Sequence, residues 1–456
     1  MTEKNLRSGY TTGTCASAAA KAAALFLLCG SSPDEVEIAL PGGAVAVIPV
    51  KQAKIQTQIH NQAQAQTESQ IRTYAKSQRT GKNVEGDVEF ASRVSYCVQK
   101  DSGDDPDVTH GAWIYAEVRR LAVSELEEHK KHASGYWLPK YPNLYLTGGK
   151  GIGMVTKPGL SCPVGHYAIN PVPQRMILSS VGQVFDSGAE DCCLLITIWI
   201  PAGEELAEKT FNPRLGIEGG ISVLGTTGIV KPMSEEALLA TIRLDIHMQT
   251  LQRGRILLMA PGNYGETFLE ERFGILPGSA VLCSNFVGAA MKMAAREELD
   301  RVLFVGHIGK LVKVAAGVRN THSRYGDGRM EEMSRLTRQV IAQQSQQPQE
   351  SQELRLPQQQ KLLPEYAGLA EQIAACNTTE EAIQMLKRFG MAEQVLQLAA
   401  ECVKQQMEKW VGHGLQVEVV TFSSANAVFG CTAEAQNTLK LWKQQMTRQA
   451  DDSAGK

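Results

Sequence analysis

The sequence lacks most of the features that would place a chain of this size in one of the large ligand-defined classes. Aromatic residues make up 6% of its 456 positions. Lys plus Arg (46) nearly balance Asp plus Glu (48), leaving a formal net charge of -2. No global field draws in a polyanion, so nucleic acid and anionic membrane surfaces are excluded as partners, and any anionic ligand must be met by a local cluster. The ten cysteines contain no C-x-x-C, and Cys192 and Cys193 are adjacent, which suits neither a zinc knuckle nor an ordinary disulfide. A reduced cytosol is the expected compartment. The opening MTEKNLRSGYTTG lacks the basic-then-apolar order of a secretory signal, and no apolar run approaches the roughly 20 residues of a membrane span. The expectation is a soluble, cytoplasmic protein without a membrane partner.

What the chain does have is length, with 43% hydrophobic residues, enough for two domains. Thr14 is placed to cap an alanine-heavy helix from about Cys15 to Cys29. EVEIALPGGAVAVIPV reads as a hairpin turning at Pro41-Gly42-Gly43. Further strands are expected at Val88 to Val98, Thr109 to Val118, Asn143 to Thr147 and Cys192 to Ile200. Residues 1 to about 250 therefore read as a two-layer α+β domain with an extensive sheet. Two glutamine-rich patches, Gln52 to Gln78 and Gln343 to Gln360, lack apolar periodicity and read as exposed insertions.

From Gly254 the rhythm changes. RILLMA, SAVLCS and RVLFVGH are short apolar strands, and each feeds a glycine-containing loop and a helix. That alternation predicts a mostly parallel sheet covered by helices, a Rossmann-like three-layer domain over 251–445, with helices across much of Glu331 to Trp410, a late strand at Val417 to Ser423 and a flexible tail at 446–456. Ligands of such sheets sit beyond the carboxyl ends of the strands, which puts PGNYG, SNFVG and GHIGK on the binding rim.

Three motifs invite a function. KDSGDDPDVTHG places four aspartates within seven positions, yet no register supplies an EF-hand, because Gly103 or Pro106 falls at the third ligand place or His110 at the sixth. What remains is an Asx-rich turn between two strands, either solvated or holding a base or ligand anchor. TGGKGIGMVTKPG fails as a phosphate loop, since Met154 and Val155 follow Gly153 where Lys and Ser or Thr should stand. The dinucleotide pattern fails too, landing on Met154 or Thr156. These glycines fit close ligand approach and tight turns equally. The segment from His307 to Arg329 sets His307, Lys310, Lys313, Arg319, His322, Arg324 and Arg329 against a single acid, Asp327. Beside strand ends, such a cluster suits a ligand with several carboxylates or phosphates.

LRSGYTTGTCASAAAKAA, KDSGDDPDVTHG, GGKGIGMVTKPGLSCPVGHYAINPVPQRMI, NPRLGIEGGISVLGTTGIVKPMS, APGNYGETF and VGHIGKLVKVAAGVRNTHSRYGDGRME together resemble the cobalt-precorrin-5B C-1 methyltransferases of the CbiD family, over most of residues 6 to 331. The resemblance implies an enzyme of the anaerobic route to cobalamin, moving a methyl group from S-adenosylmethionine to C-1 of a tetrapyrrole, with cobalt present only as part of the substrate and no resident metal. It also implies transient transfer between corrin-pathway enzymes and leaves homo-oligomerisation open. On this basis Asp104, Asp105 and His307 are the expected catalytic groups. Gly262, Asn263, Tyr264, Gly306, Gly309, Thr12 and Gly13 are expected at the methyl donor, and Lys310, Arg319, His322, Arg324, Asp101, Asp107 and Thr14 at the tetrapyrrole, in an interdomain cleft. The competing classes are a magnesium-dependent phosphoryl-transfer or nucleotide-binding protein and a non-catalytic tetrapyrrole carrier.

Overall fold

A computed structural model describes residues 6–56, 92–132, 134–188, 192–346, 366 and 368–454. It divides into two compact units, Met1–Ser234 and Glu235–Lys456. Unit 1 runs β1 (Gly9–Tyr10), α1 (Thr12–Cys29), β2 (Glu35–Ala39), β3 (Val45–Pro49), β4 (Lys51–Gln56), β5 (Arg93–Gln99), β6 (Trp113–Leu121), α2 (Val123–Lys131), β7 (Tyr136–Leu138), β8 (Tyr141–Gly148), β9 (Gly151–Ile152), β10 (Met154–Val155), α3 (Pro171–Gly188), β11 (Cys193–Trp199), α4 (Gly203–Ala207), β12 (Ile217–Glu218), β13 (Gly220–Ile221) and β14 (Ile229–Val230).

Its main sheet has the order β4-β5-β6-β11-β8-β7, antiparallel except where β11 lies parallel to β8. The period-two alternation of β6 sends Ile114, Ala116 and Val118 to the face that α1 and α3 cover. The small side chains of α1 let it approach α3 and the sheet closely, and Ala16, Ala18, Ala19, Ala20, Ala22, Ala23 and Ala24 are fully buried. Among the described residues α1 alone is long and apolar enough to cross a membrane by those measures, but 72% of it is buried inside the unit, as befits a core helix. Its cap is Thr11, whose hydroxyl accepts from the Thr14 amide at 3.2 Å, so the helix begins three residues before the expected Cys15. The hairpin at Pro41-Gly42-Gly43 forms as expected from β2 and β3. Gln52 and Gln56, taken from sequence as the start of an insertion, pair with β5 as an edge strand; residues 57–78 of that patch lie outside the described residues.

Unit 2 runs α5 (Glu235–Arg253), β15 (Ile256–Ala260), α6 (Asn263–Phe273), β16 (Val281–Leu282), α7 (Val287–Ala294), β17 (Arg301–His307), α8 (Ile308–Ala315), α9 (Arg329–Gln346), α10 (Leu369–Ala374), α11 (Thr379–Arg388), α12 (Ala392–Val411), β18 (Gln416–Ser423), β19 (Val428–Cys431) and α13 (Ala435–Ala454). The sheet order is β16-β15-β17-β18-β19, parallel through β18 and antiparallel at β19. Leu258, Ala260, Leu303 and Val305 face α6 and α13, whereas Leu257, Met259, Val302 and Phe304 face α5, α7, α8 and α12. Helices thus cover both faces, as the apolar strands require.

Two expected boundaries shift. The first unit ends at Ser234, before the expected 250, because Ile242 and Ile246 of α5 pack beneath β15 in the second core. Residues 446–454 are the last turns of α13, not a tail, and Gln445 in that helix accepts from the Arg255 and Ile256 amides with one side-chain oxygen. Of the second glutamine-rich patch, 343–346 end α9 and the remainder, 347–360, lies outside the described residues.

Leu303 sits mid-strand in β17 and is 1% exposed. Leu303→Ala is expected to cost about 2–5 kcal/mol, with the urea midpoint of unit 2 falling at an unchanged slope.

Candidate active site

The acidic turn of unit 1 spends its carboxylates on the protein itself. Lys100 directly follows β5 with 2% exposure, and its Nζ donates to Ser102 Oγ and to Asp107 Oδ2, each at 2.5 Å. Asp107 Oδ1 accepts from the Thr109 amide at 2.8 Å and hydroxyl at 2.6 Å. Burial pushes the Asp107 carboxyl up, but the Lys100 and Thr109 hydrogen bonds outweigh it and the net shift is downward. Asp101 makes a two-point pair with the Arg7 guanidinium and accepts from the Gly103 amide. The Arg7 hydrogen bond, followed by that amide, holds the Asp101 carboxyl down at about 2. Asp104 Oδ2 accepts from the Arg7 amide at 2.7 Å, and Asp105 Oδ1 from the Met233 amide at 2.9 Å. The turn therefore clasps two segments, the arm before α1 and the chain after β14.

TTGT is absorbed in the same way. Thr12 Oγ1 exchanges hydrogen bonds with both polar groups of the Leu224 backbone, Thr14 Oγ1 donates to Gly228 O at 2.7 Å, and Gly13 N donates to Leu224 O at 2.8 Å. Thr12, Gly13 and Thr14 are all buried. In the GGKGIG segment, Gly151 has φ +76°, and a Cβ there would lie 1.9 Å from Ile200 O. Close backbone packing is the reason for that glycine.

Most of the basic cluster is also answered internally. Arg319 lies over the Trp410 ring at 5.7 Å, Arg324 pairs with Glu235 and Tyr325, Arg329 pairs with Asp327, and Lys313 Nζ donates to Gly326 O at 3.0 Å. His322 caps the short helix Ser323–Tyr325, accepting from the Arg324 amide. Lys310 is the exception. It is half-buried with no hydrogen-bond or ion-pair partner among the described residues, and burial lowers its ammonium pKa.

Lys310 stands at the carboxyl edge of the parallel sheet, where the connections from β15 and β17 leave in opposite directions. The chain passes from β15 through α6 to β16 on one side, and from β17 through α8 toward β18 on the other, with α6 and α8 on opposite faces. Such a divergence is the position at which open α/β sheets form their ligand crevices. Pro261–Gly265 forms one wall and His307–Lys310 the other. At Gly265 a Cβ would meet Ala260 Cβ at 2.6 Å and Val305 O at 2.9 Å, so α6 is seated tightly on the sheet. At Gly262 a Cβ would meet nothing within 4 Å. Asn263 opens α6, whose amides have no side-chain cap, and Tyr264 is 75% exposed. On the facing side, Gly306 in β17 packs tightly against Leu311, and Gly309 in the first turn of α8 against His307 Nδ1 and Thr379 Oγ1.

His307 is committed on both ring nitrogens. Nδ1 accepts from the Gly309 amide at 3.1 Å, capping α8, and Nε2 lies 2.6 Å from Glu380 Oε1. Glu380 was not among the residues singled out from sequence. The capping pattern around Thr378, whose hydroxyl accepts from the Glu381 amide, marks the start of α11 but does not say what lies opposite it. No group of three or more metal-ligating side chains occurs among the described residues.

The first unit is α+β, the second is a mostly parallel sheet covered on both faces, and the whole is a mixed α/β protein. A family model described as CbiD matches residues 1–70 and 60–232, and one described as the CbiD C-terminal domain matches 362–433. The chain belongs to the CbiD family. A protein from Alkaliphilus metalliredigens named cobalt-precorrin-5B C(1)-methyltransferase is 34% identical, covering 96% of each chain. Proteins of the same name from Ruminiclostridium cellulolyticum and Fusobacterium nucleatum are 40% identical over 72% of each chain, and 34% identical over 94% of this chain and 96% of that one. A crystal structure of a cobalamin biosynthesis protein (cbiD) from Archaeoglobus fulgidus is 24% identical, covers 72% of this chain and 84% of that one, and has a TM-score of 0.33.

Two outcomes test the clasp. Removing Asp107 strands a buried ammonium, so Asp107→Ala is expected to destabilise unit 1 by about 3–5 kcal/mol, against less than about 1.5 kcal/mol for Asp104→Ala, as read by urea denaturation. Asp101 has a folded pKa below its unfolded value, so its contribution is complete above about pH 4 and is lost as pH falls toward 2. The Tyr10 amide donates to Asp101 O, so its exchange protection factor is expected to decline between pH 5 and pH 2.5.

Proposed function

We propose that this chain methylates C-1 of cobalt-precorrin-5B in cobalamin biosynthesis, with S-adenosylmethionine as the methyl donor. The observation that carries the reaction is the near full-length similarity to enzymes bearing that name. The strand order and two-faced helical cover support reading unit 2 as a Rossmann-like domain. They favour the crevice between Pro261–Gly265 and His307–Lys310 as the donor site.

The residues there fit such a ligand. The open space at Gly262 admits close approach to the backbone, and the uncapped amides at the start of α6 favour an anionic group such as a carboxylate. Tyr264 and the His307 ring, with centroids 6.3 Å apart, offer π-faces for a planar or cationic group. Lys310, with no hydrogen-bond or ion-pair partner among the described residues, offers its charge to one of the tetrapyrrole's carboxylates.

When bound, S-adenosylmethionine supplies an electrophilic methyl carbon and a neutral thioether leaving group, so no protein acid is needed at the leaving atom. What the protein contributes is alignment. Rigid loops at the ends of buried strands hold their ligands with little motion, and a positioned carboxylate fixes the macrocycle's orientation. His307, with both nitrogens taken, acts in this reading as part of the wall and not as the base expected from sequence. The aspartates Asp101, Asp104, Asp105 and Asp107 and the threonines Thr12 and Thr14 act as scaffold, and Arg319, His322 and Arg324 as internal pairs.

Calorimetry is expected to register S-adenosylmethionine binding and no binding of magnesium-ATP. Lys310→Ala is expected to raise the KM for the tetrapyrrole roughly tenfold in a methyl-transfer assay, with donor affinity little changed. Binding of magnesium-ATP without S-adenosylmethionine would move the crevice to the phosphoryl-transfer class. Tetrapyrrole binding without methyl transfer would leave a carrier.

A further inference from the structure

One carboxylate in unit 2 ties together the ends of two neighbouring strands. Glu380 is the second residue of α11, and its two oxygens divide their partners between two strand ends. Oε1 lies 2.6 Å from His307 Nε2, at the end of β17. Oε2 accepts from Ser423 Oγ at 2.5 Å, at the end of β18, and from Asn426 Nδ2 at 2.8 Å, in the turn to β19. Asn426 Nδ2 also reaches the Glu380 main-chain oxygen at 3.1 Å. Three side-chain donors therefore converge on one carboxylate that is partly shielded from solvent.

The residue is itself held. Thr378 caps α11, Glu381 Oε2 accepts from the Asn377 amide, and Lys387 Nζ, further along the same helix, donates to Asn426 O at 2.9 Å. The turn it grips is under strain. Ala427 has φ +52°, a left-handed conformation that is unfavourable for a residue with a Cβ and persists only where the surroundings enforce it.

The hydrogen bonds also fix the imidazole's protonation pattern. Nδ1 accepts from the Gly309 amide, so the proton is on Nε2, where it is donated to Glu380. The ring is then fixed edge-on to Phe422 at 5.6 Å and tilted toward Tyr264 at 6.3 Å.

We propose that Glu380 is the positioning residue of this crevice, locking the His307 ring as the Nε2–H tautomer in the wall completed by Tyr264. The proposal rests on the donor site lying between Pro261–Gly265 and His307–Lys310. Glu380 touches no ligand in it. It acts on donor binding through His307.

The test uses the full chain with ¹⁵N-labelled histidine. Ring-nitrogen spectra are expected to show His307, assigned by the loss of its signals in His307→Gln, as the single Nε2–H tautomer. In Glu380→Gln the amide must turn a donor toward one of the three converging donors, and a mixture of tautomers is expected. The KM for S-adenosylmethionine is expected to rise roughly ten- to a hundredfold, the loss of one charge-assisted hydrogen bond, with the tetrapyrrole KM unmoved. The Glu380→Gln, His307→Gln double variant is expected to lose no more donor affinity than the worse single variant, because both act along one path. Ser423→Ala, a gentler change at the same carboxylate, is expected to raise the donor KM roughly threefold and covers a Glu380→Gln protein that does not fold. An unaltered His307 spectrum in Glu380→Gln, unchanged donor affinity, or additive losses in the double variant would overturn the proposal. Absence of S-adenosylmethionine binding by the unaltered protein would instead sink the donor site itself, and Glu380's part in donor binding with it.

Discussion

A β-sheet inside a protein must stop somewhere, and the buried polar groups near its last residues must be answered by partners. In this protein both large sheets solve that problem with carboxylates, and what each unit presents at its sheet end follows from the solution. At the end of β5, Asp107 neutralises the buried Lys100 ammonium while Asp101, Asp104 and Asp105 take the amides and guanidinium of flanking segments. At the ends of β17 and β18, Glu380 takes His307, Ser423 and Asn426. The first arrangement closes its sheet end. The second braces one wall and leaves the space beside Gly262 free.

That contrast redistributes the chemistry that charge alone suggests. A run of four aspartates and a run of seven basic or imidazole side chains both resemble ligand sites in one dimension, yet nearly every member has a partner within its own unit. Among the described residues Lys310 is the member with no hydrogen-bond, ion-pair or cation–π partner. Its isolation is a property of three-dimensional accounting: Lys313, three residues along the same helix, is buried and bonded to Gly326 O, whereas Lys310 sits one turn nearer the sheet edge.

The legible part of the fold was the part written in local pattern. Three repeats of a short apolar strand, a glycine-containing loop and a helix after Gly254 announced the parallel sheet and the helices that cover it. Composition also identified α1, although its start was displaced because Thr11, not Thr14, has the extended backbone that a cap requires. The site was less legible, for a definable reason. Spacing could exclude calcium and phosphate loops, because those motifs are local. It could not show that Asp105 faces Met233, 128 residues away, or that His307 faces Glu380, 73 residues away, since nothing near either residue encodes its partner. Glu380 also lies in a stretch with no recognised motif. The signal available was the helix start at Thr378, which locates an acid near a dipole's positive end but not what it touches.

The bonds that fix the beginning of α1 bear on the order in which the chain becomes structured. Thr12 and Thr14 are tied to Leu224 and Gly228 across sequence separations of 212 and 214 residues, and the clasp from Arg7 to Asp101 spans 94. Contacts so distant carry a large loop-closure entropy and form late. During synthesis the first turn of α1 leaves the ribosome long before the segment that anchors it exists, so the alanine-rich helix must spend that interval with its N-terminus unsecured. The helix is thus made well before it can be finished, and its apolar surface needs protection until residue 228 arrives.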